Sequence, residues 1–209
     1  MMTLLSKFTS KKTSPLLWFI LLLFVIAGVT TLGPAERSLG TNVRVVYLHG
    51  AWVWAALISF AVAALVGGVA LLLKNDAFHR WSHAAGRTGL FFWITYLPIS
   101  LWAMQTNWNG LFLAEPRWRL AVVFSVGGLV MQLGILLMGE FRWASVANLL
   151  FFGALVFALG RTDQVMHPDS PVADADSWRI QAFFYSLVLI TLLAASQMAR
   201  WWHRVSVRA

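Results

Sequence analysis

The sequence predicts an all-α polytopic membrane protein with six transmembrane helices and both termini in the cytoplasm. Three observations predict it. Apolar residues (AVILMFWYC) make up 59% of the 209 residues and charged residues 11%, against roughly 45–50% and about 25% in soluble domains. Mean hydropathy is +0.72, so the chain cannot cover itself with polar groups and must use lipid as part of its solvent. The charges also fall between six long uncharged runs rather than being spread along the chain.

The six spans are expected at 16–35, 45–73, 88–106, 120–139, 143–160 and 180–199. A helix crosses the hydrocarbon core in about 20 residues, and all six runs reach or approach that length. The first follows Lys7, Lys11 and Lys12. It reads as a retained anchor, because Thr31-Leu32-Gly33 is a poor cleavage site. The second is interrupted only by His49, and the third belongs to an uncharged stretch that continues to residue 114. Both exceed the needed length, which implies tilt or ends that project into the interface. The remaining three follow at short intervals, and the chain reads as a single six-helix domain with no soluble domain, repeat or low-complexity linker.

Orientation follows from Lys and Arg, which favour cytoplasmic loops. With the N-terminus inside, the inner segments hold Lys7, Lys11, Lys12, Lys74, Arg80, Arg87, Arg142, Arg200, Arg204 and Arg208. The outer segments hold Arg37, Arg44, Arg117, Arg119, Arg161 and Arg179, and six of the eight acids also lie outside. The net charge of +8 therefore reads as membrane orientation, with no nucleic-acid partner. The absence of Cys excludes a disulfide scaffold, a Cys-ligated metal centre and a thiol nucleophile.

This topology puts the chemically unusual residues on one face. His49 lies roughly 6 Å inside the second helix, where an ionisable group is costly and a functional candidate. Its alternative is an interfacial histidine bonded to a neighbouring loop. His167, between Met166 and Pro168, reads alone as a solvated loop residue. Paired with His49 it becomes the second of two imidazoles, a standard axial pair for haem iron. The twelve tryptophans divide evenly between the two interfaces, as aromatic belts do, so their number decides nothing. Their positions are more informative: Trp108, Phe112 and Trp118 crowd the loop 106–119, where flat apolar faces can pack on a porphyrin. Glu115-Pro116-Arg117 fits a helix start; read functionally, Arg117 and Arg119 are guanidinium partners for propionates. His79 and His83 stand at i, i+4 without a third ligand, and their stretch reads as a basic segment lying on anionic headgroups.

The pattern resembles the haem-handling proteins of cytochrome c assembly, especially the six-helix haem exporter C type. Tyr47-Leu48-His49-Gly50-Ala51-Trp52 looks like that family's first external histidine block. Trp108 through Arg117 is similar to its tryptophan-rich loop, with Glu-Pro-Arg where the family ends in Asp-x-Arg or Asp-Pro-Arg. Met166-His167-Pro168 resembles the block with the second external histidine. Phe112 and Leu113 stand where the family usually has Trp. The resemblance covers about Val43 to Gln181. It implies haem b bound at the external face of a bacterial or archaeal cell membrane. It also implies His49 and His167 as axial ligands, and an aromatic platform with Trp52, Trp108, Phe112, Glu115, Arg117 and Trp118 around the cargo. The implied partners are ABC-type transporter subunits and an external haem chaperone, and the protein is then a carrier rather than an enzyme. Two other readings stand beside it, a haem-retaining redox subunit that serves quinone and a haem-free scaffolding subunit.

Overall fold

The computed structural model describes residues 14–163, 172 and 176–208. Six helices follow one another: α1 (Pro15–Thr31), α2 (Val43–Leu73), α3 (Asp76–Trp108), α4 (Pro116–Met138), α5 (Phe141–Arg161) and α6 (Trp178–Arg208). Among the described residues there is no sheet, only a bridge between Glu36 and Gly40. Four helices, α2, α4, α5 and α6, are long and apolar enough to cross a membrane. α1 is apolar but has 17 residues. α3 is the longest but is more polar along its length.

Local chemistry sets the boundaries. Pro15 and Pro116 open α1 and α4, where a missing N–H costs nothing and φ is already helical. Lys74 ends α2 in the left-handed region, and the Asn75 side chain immediately caps α3 by accepting from the amides of Ala77 (2.9 Å) and Phe78 (3.3 Å). That cap explains a difference from expectation. The inner connection before residue 88 is not a loop lying on headgroups. It is two residues long, and α3 begins at Asp76. Gly139, at φ +71°, ends α4 and turns the chain into α5, a conformation that costs a Cβ-bearing residue energy.

The α2–α3 hairpin is the centre of the bundle. α2 buries Ala51, Ala55, Ala56, Ala63 and Ala64, and small residues of this kind let neighbouring backbones approach closely. Larger rings fill the remaining space. Phe60 lies where a Cβ on Gly89 would come within 2.6 Å of it, and Trp52 stands 5.0 Å from Phe92. α1 packs along α6, α6 also packs on α2 and α3, and α4 and α5 cover the other side of the hairpin. On α4, Leu129, Val130, Leu133, Leu136 and Leu137 are each more than half exposed. A continuous apolar strip of this length fits hydrocarbon rather than water.

Candidate functional site

Cross-bonds gather five helix ends at one end of the bundle. Asn42 Nδ2, just before α2, donates to the Thr106 carbonyl near the end of α3 at 3.0 Å. Arg117 Nε, at the start of α4, donates to the Thr162 carbonyl just beyond α5 at 3.3 Å. The Tyr47 ring of α2 lies 5.4 Å from Phe183 of α6, and its hydroxyl donates to the Pro34 carbonyl at 3.1 Å. The α1–α2 connection closes over this end. The Glu36 carboxylate accepts from Ser38 N (2.8 Å), Ser38 Oγ (2.5 Å) and Leu39 N (2.9 Å), and Gly40 at φ +57° completes the turn. The Ser38 hydroxyl first, and then the Leu39 amide, hold Glu36 below the ordinary carboxyl value of 4.5.

The residues singled out in the sequence stand at this end, with different surroundings. His49 is half-buried on α2, its ring 5.5 Å from Tyr96 of α3 in an edge-on arrangement. Trp52, one turn deeper, is buried, and its indole N–H donates to Thr95 Oγ1 at 2.9 Å. Trp108 is the last residue of α3 and is half-buried. The loop beyond it is apolar and open: Leu111 is 54%, Phe112 40% and Leu113 47% exposed. The Glu115 amide donates to the Phe112 carbonyl at 3.0 Å, and Arg119 Nε donates to the Leu113 carbonyl at 3.2 Å, so the loop is tied to the α4 start. Glu115 stands at the N-cap of α4 but makes no side-chain capping bond, so backbone geometry and Pro116 start that helix. The Trp118 ring is half-buried, and its buried indole nitrogen has no acceptor among the described residues. The structure thus brings His49, Trp108, Phe112, Arg117 and Trp118 to one end of the bundle. His167 lies outside the described residues.

A second polar cluster sits near the opposite end, and there the sequence reading is corrected. His79 and His83 do not lie on a headgroup surface; they are 5% and 8% exposed, inside the bundle. His79 Nδ1 is 2.7 Å from Ser145 Oγ of α5. Ser82 Oγ donates to the Ala63 carbonyl of α2 at 2.8 Å, and Asn148 Nδ2 of α5 reaches both Ser82 O (2.9 Å) and Ser82 Oγ (3.0 Å). Gly86 admits this contact: a Cβ there would lie 2.4 Å from Asn148 Oδ1. The signal was present in the sequence. Positions 79, 82, 83 and 86 follow the i, i+3, i+4, i+7 pattern of one helical face, here made of polar and small residues. Such a stripe suits a helix–helix interface in a membrane.

No protein-family model, no curated protein and no solved structure matches the chain.

Proposed function

We propose that this membrane protein is a carrier that takes up haem b at the His49 end of its bundle and passes it on for cytochrome c maturation. One observation carries the reading. An open apolar loop, Leu111-Phe112-Leu113, stands beside the cationic α4 start at the same end as a helix-borne imidazole. Haem is a flat apolar ring with two carboxylates and an iron that binds imidazole. Phe112 with Trp108 supplies an apolar platform, Arg117 and Arg119 supply cations for the propionates, and His49 supplies an axial nitrogen.

In the same reading His167 is the second axial ligand. It follows Thr162 by five residues, a reach of about 18 Å at full extension, and Thr162 is bonded to Arg117. The two imidazoles then belong to different elements, one on a packed helix and one in the α5–α6 connection. An acceptor displaces the second without dismantling the first, as suits a carrier. α1 and α3 are read as spans alongside α2, α4, α5 and α6, because both pack within the bundle. The Lys/Arg bias makes the His49 end external and both termini cytoplasmic. ABC-type transporter subunits and an external haem chaperone are the partners that this role requires.

The test is the absorption spectrum of purified protein after haem addition. A six-coordinate, low-spin Soret and visible spectrum is expected, altered or lost in His49→Ala and in His167→Ala. Excess apo-myoglobin should strip the haem, and faster from His167→Ala. Absence of a Soret band favours the scaffolding reading. Haem that withstands apo-myoglobin for hours favours the redox subunit.

A further inference from the structure

α3 presents a different face toward α6 from the one that carries His79 and His83. Near the end of the bundle opposite His49, Trp81 stacks on His203 of α6, with centroids 4.1 Å apart and planes 14° from parallel. The Arg87 guanidinium lies 4.1 Å above the Trp202 ring, and Trp201 packs against Trp202 at 4.3 Å. α3 and α6 run in opposite directions here. Arg87, deeper in the bundle than Trp81, sends its side chain back toward the end of the helix, as long cationic side chains do to reach an interface.

This cluster holds donors that no acceptor among the described residues satisfies. Arg80 Nε and Trp202 Nε1 are buried without a hydrogen-bond partner, and buried donors of this kind are normally satisfied. Neither Arg80 nor Arg87 is in an ion pair among the described residues; the acid one turn before Arg80, Asp76, does not pair with it, and Glu140 is taken by Arg142 at 2.5 Å. Arg80 also borders a cleft of about 230 Å³ with Asp76, Gly139, Glu140, Phe141 and Arg142.

We propose that the Arg80, Arg87 and Trp202 side chains at the α3–α6 end form a binding site for the phosphate of an anionic phospholipid headgroup. The phosphodiester accepts from Arg80 Nε, from the Trp202 indole N–H and from the Arg87 guanidinium, while Trp81 and Trp201 sit at headgroup level as interfacial tryptophans do. A zwitterionic headgroup is a poorer occupant, because its ammonium group brings a further positive charge to a site built on two arginines. The site belongs to the opposite end from the haem reading and does not depend on it.

Native mass spectrometry and thermal melting of the purified full-length protein in detergent test the assignment. The probes are phosphatidylglycerol, phosphatidylcholine and inorganic phosphate. Phosphatidylglycerol should be retained and raise the melting temperature; the other two should not, at the same concentration. Each of Arg80→Gln and Arg87→Gln should weaken phosphatidylglycerol binding about fivefold. Trp202→Phe, which keeps the ring and removes the N–H, should weaken it with the helical circular dichroism unchanged. Arg161→Gln, at the far end of α5, should bind like wild type. Raising salt should release the lipid from wild type. Equal retention of phosphatidylcholine, equal stabilisation by inorganic phosphate, or unchanged binding in the Arg80→Gln/Arg87→Gln double variant would overturn the proposal.

Discussion

Arg117 of α4 donates through Nε to the carbonyl oxygen of Thr162, 3.3 Å away at the end of α5. The bond ties the Glu-Pro-Arg triplet to the root of the segment that carries His167. Arg117→Ala should therefore weaken haem binding by about tenfold or more, the scale of one hydrogen bond to a charged group. Arg117→Lys should fall in between, because Lys keeps the charge and loses the fork. A haem titration of the three proteins checks this. If both variants bind like wild type, the triplet is a helix start and nothing else.

Haem delivery to an external acceptor requires the His49 end of the bundle to lie outside. Reporter fusions at Lys74 and at the C-terminus should report the cytoplasm, and a fusion at Asp169 the exterior. The two cytoplasmic positions lie at the end of α2 and beyond α6. A cytoplasmic signal at Asp169 would place the His49 end on the wrong side for an external acceptor.

The Gly86–Asn148 contact makes a stability prediction. Gly86→Ala would put a methyl group 2.4 Å from Asn148 Oδ1 and push Asn148 off Ser82. The expected loss is about 1–3 kcal/mol, the usual cost of overpacking a core. Asn148→Ala in the same background should recover part of it, because the clash disappears with the amide. Thermal melts of the single and double variants decide the matter. Additive losses would mean that the two residues do not meet.

Glu36 makes a pH prediction. Its bonds to Ser38 and Leu39 lower its pKa in the folded protein. A depressed carboxyl contributes its stabilisation above the unfolded value and loses it as pH falls through the folded one. The α1–α2 turn should therefore be held at neutral pH and loosen only as pH falls below the ordinary carboxyl value of 4.5. Glu36→Gln should loosen it at every pH. Hydrogen exchange at the Ser38 and Leu39 amides reads both effects. Exchange there that is independent of pH after correction for the intrinsic rate, and unchanged in Glu36→Gln, would rule out the carboxylate as the tie.

Much of the fold was legible in the sequence because hydropathy and helix boundaries are local. Pro15, Pro116 and Gly139 mark helix ends by their own backbone chemistry, and long uncharged runs correspond to α2, α4, α5 and α6. The reading failed at 76–87, where charges and histidines looked like an interfacial segment. Side-chain polarity there is answered by partners on other helices, Ser145 and Asn148, and no local pattern announces a partner 66 residues away. For the candidate site, residue types and order pointed to the His49 end. Spacing along the chain did not foretell that Trp52 would turn into the core onto Thr95 while Phe112 stayed open.

Composition by itself determined that this chain is helical and apolar enough for a membrane, because a backbone surrounded by hydrocarbon has to satisfy its own hydrogen bonds within each helix. Tertiary structure decided which polar residues face one another. Histidines four residues apart on one helix face have the same sequence signature whether they meet lipid headgroups or a buried serine. The docking of α5 against α3, permitted by the missing side chain at Gly86, made His79 and His83 interior. The docking of α6 against the neighbouring face of the same helix stacked Trp81 on His203 and set the Arg87 guanidinium over the Trp202 ring.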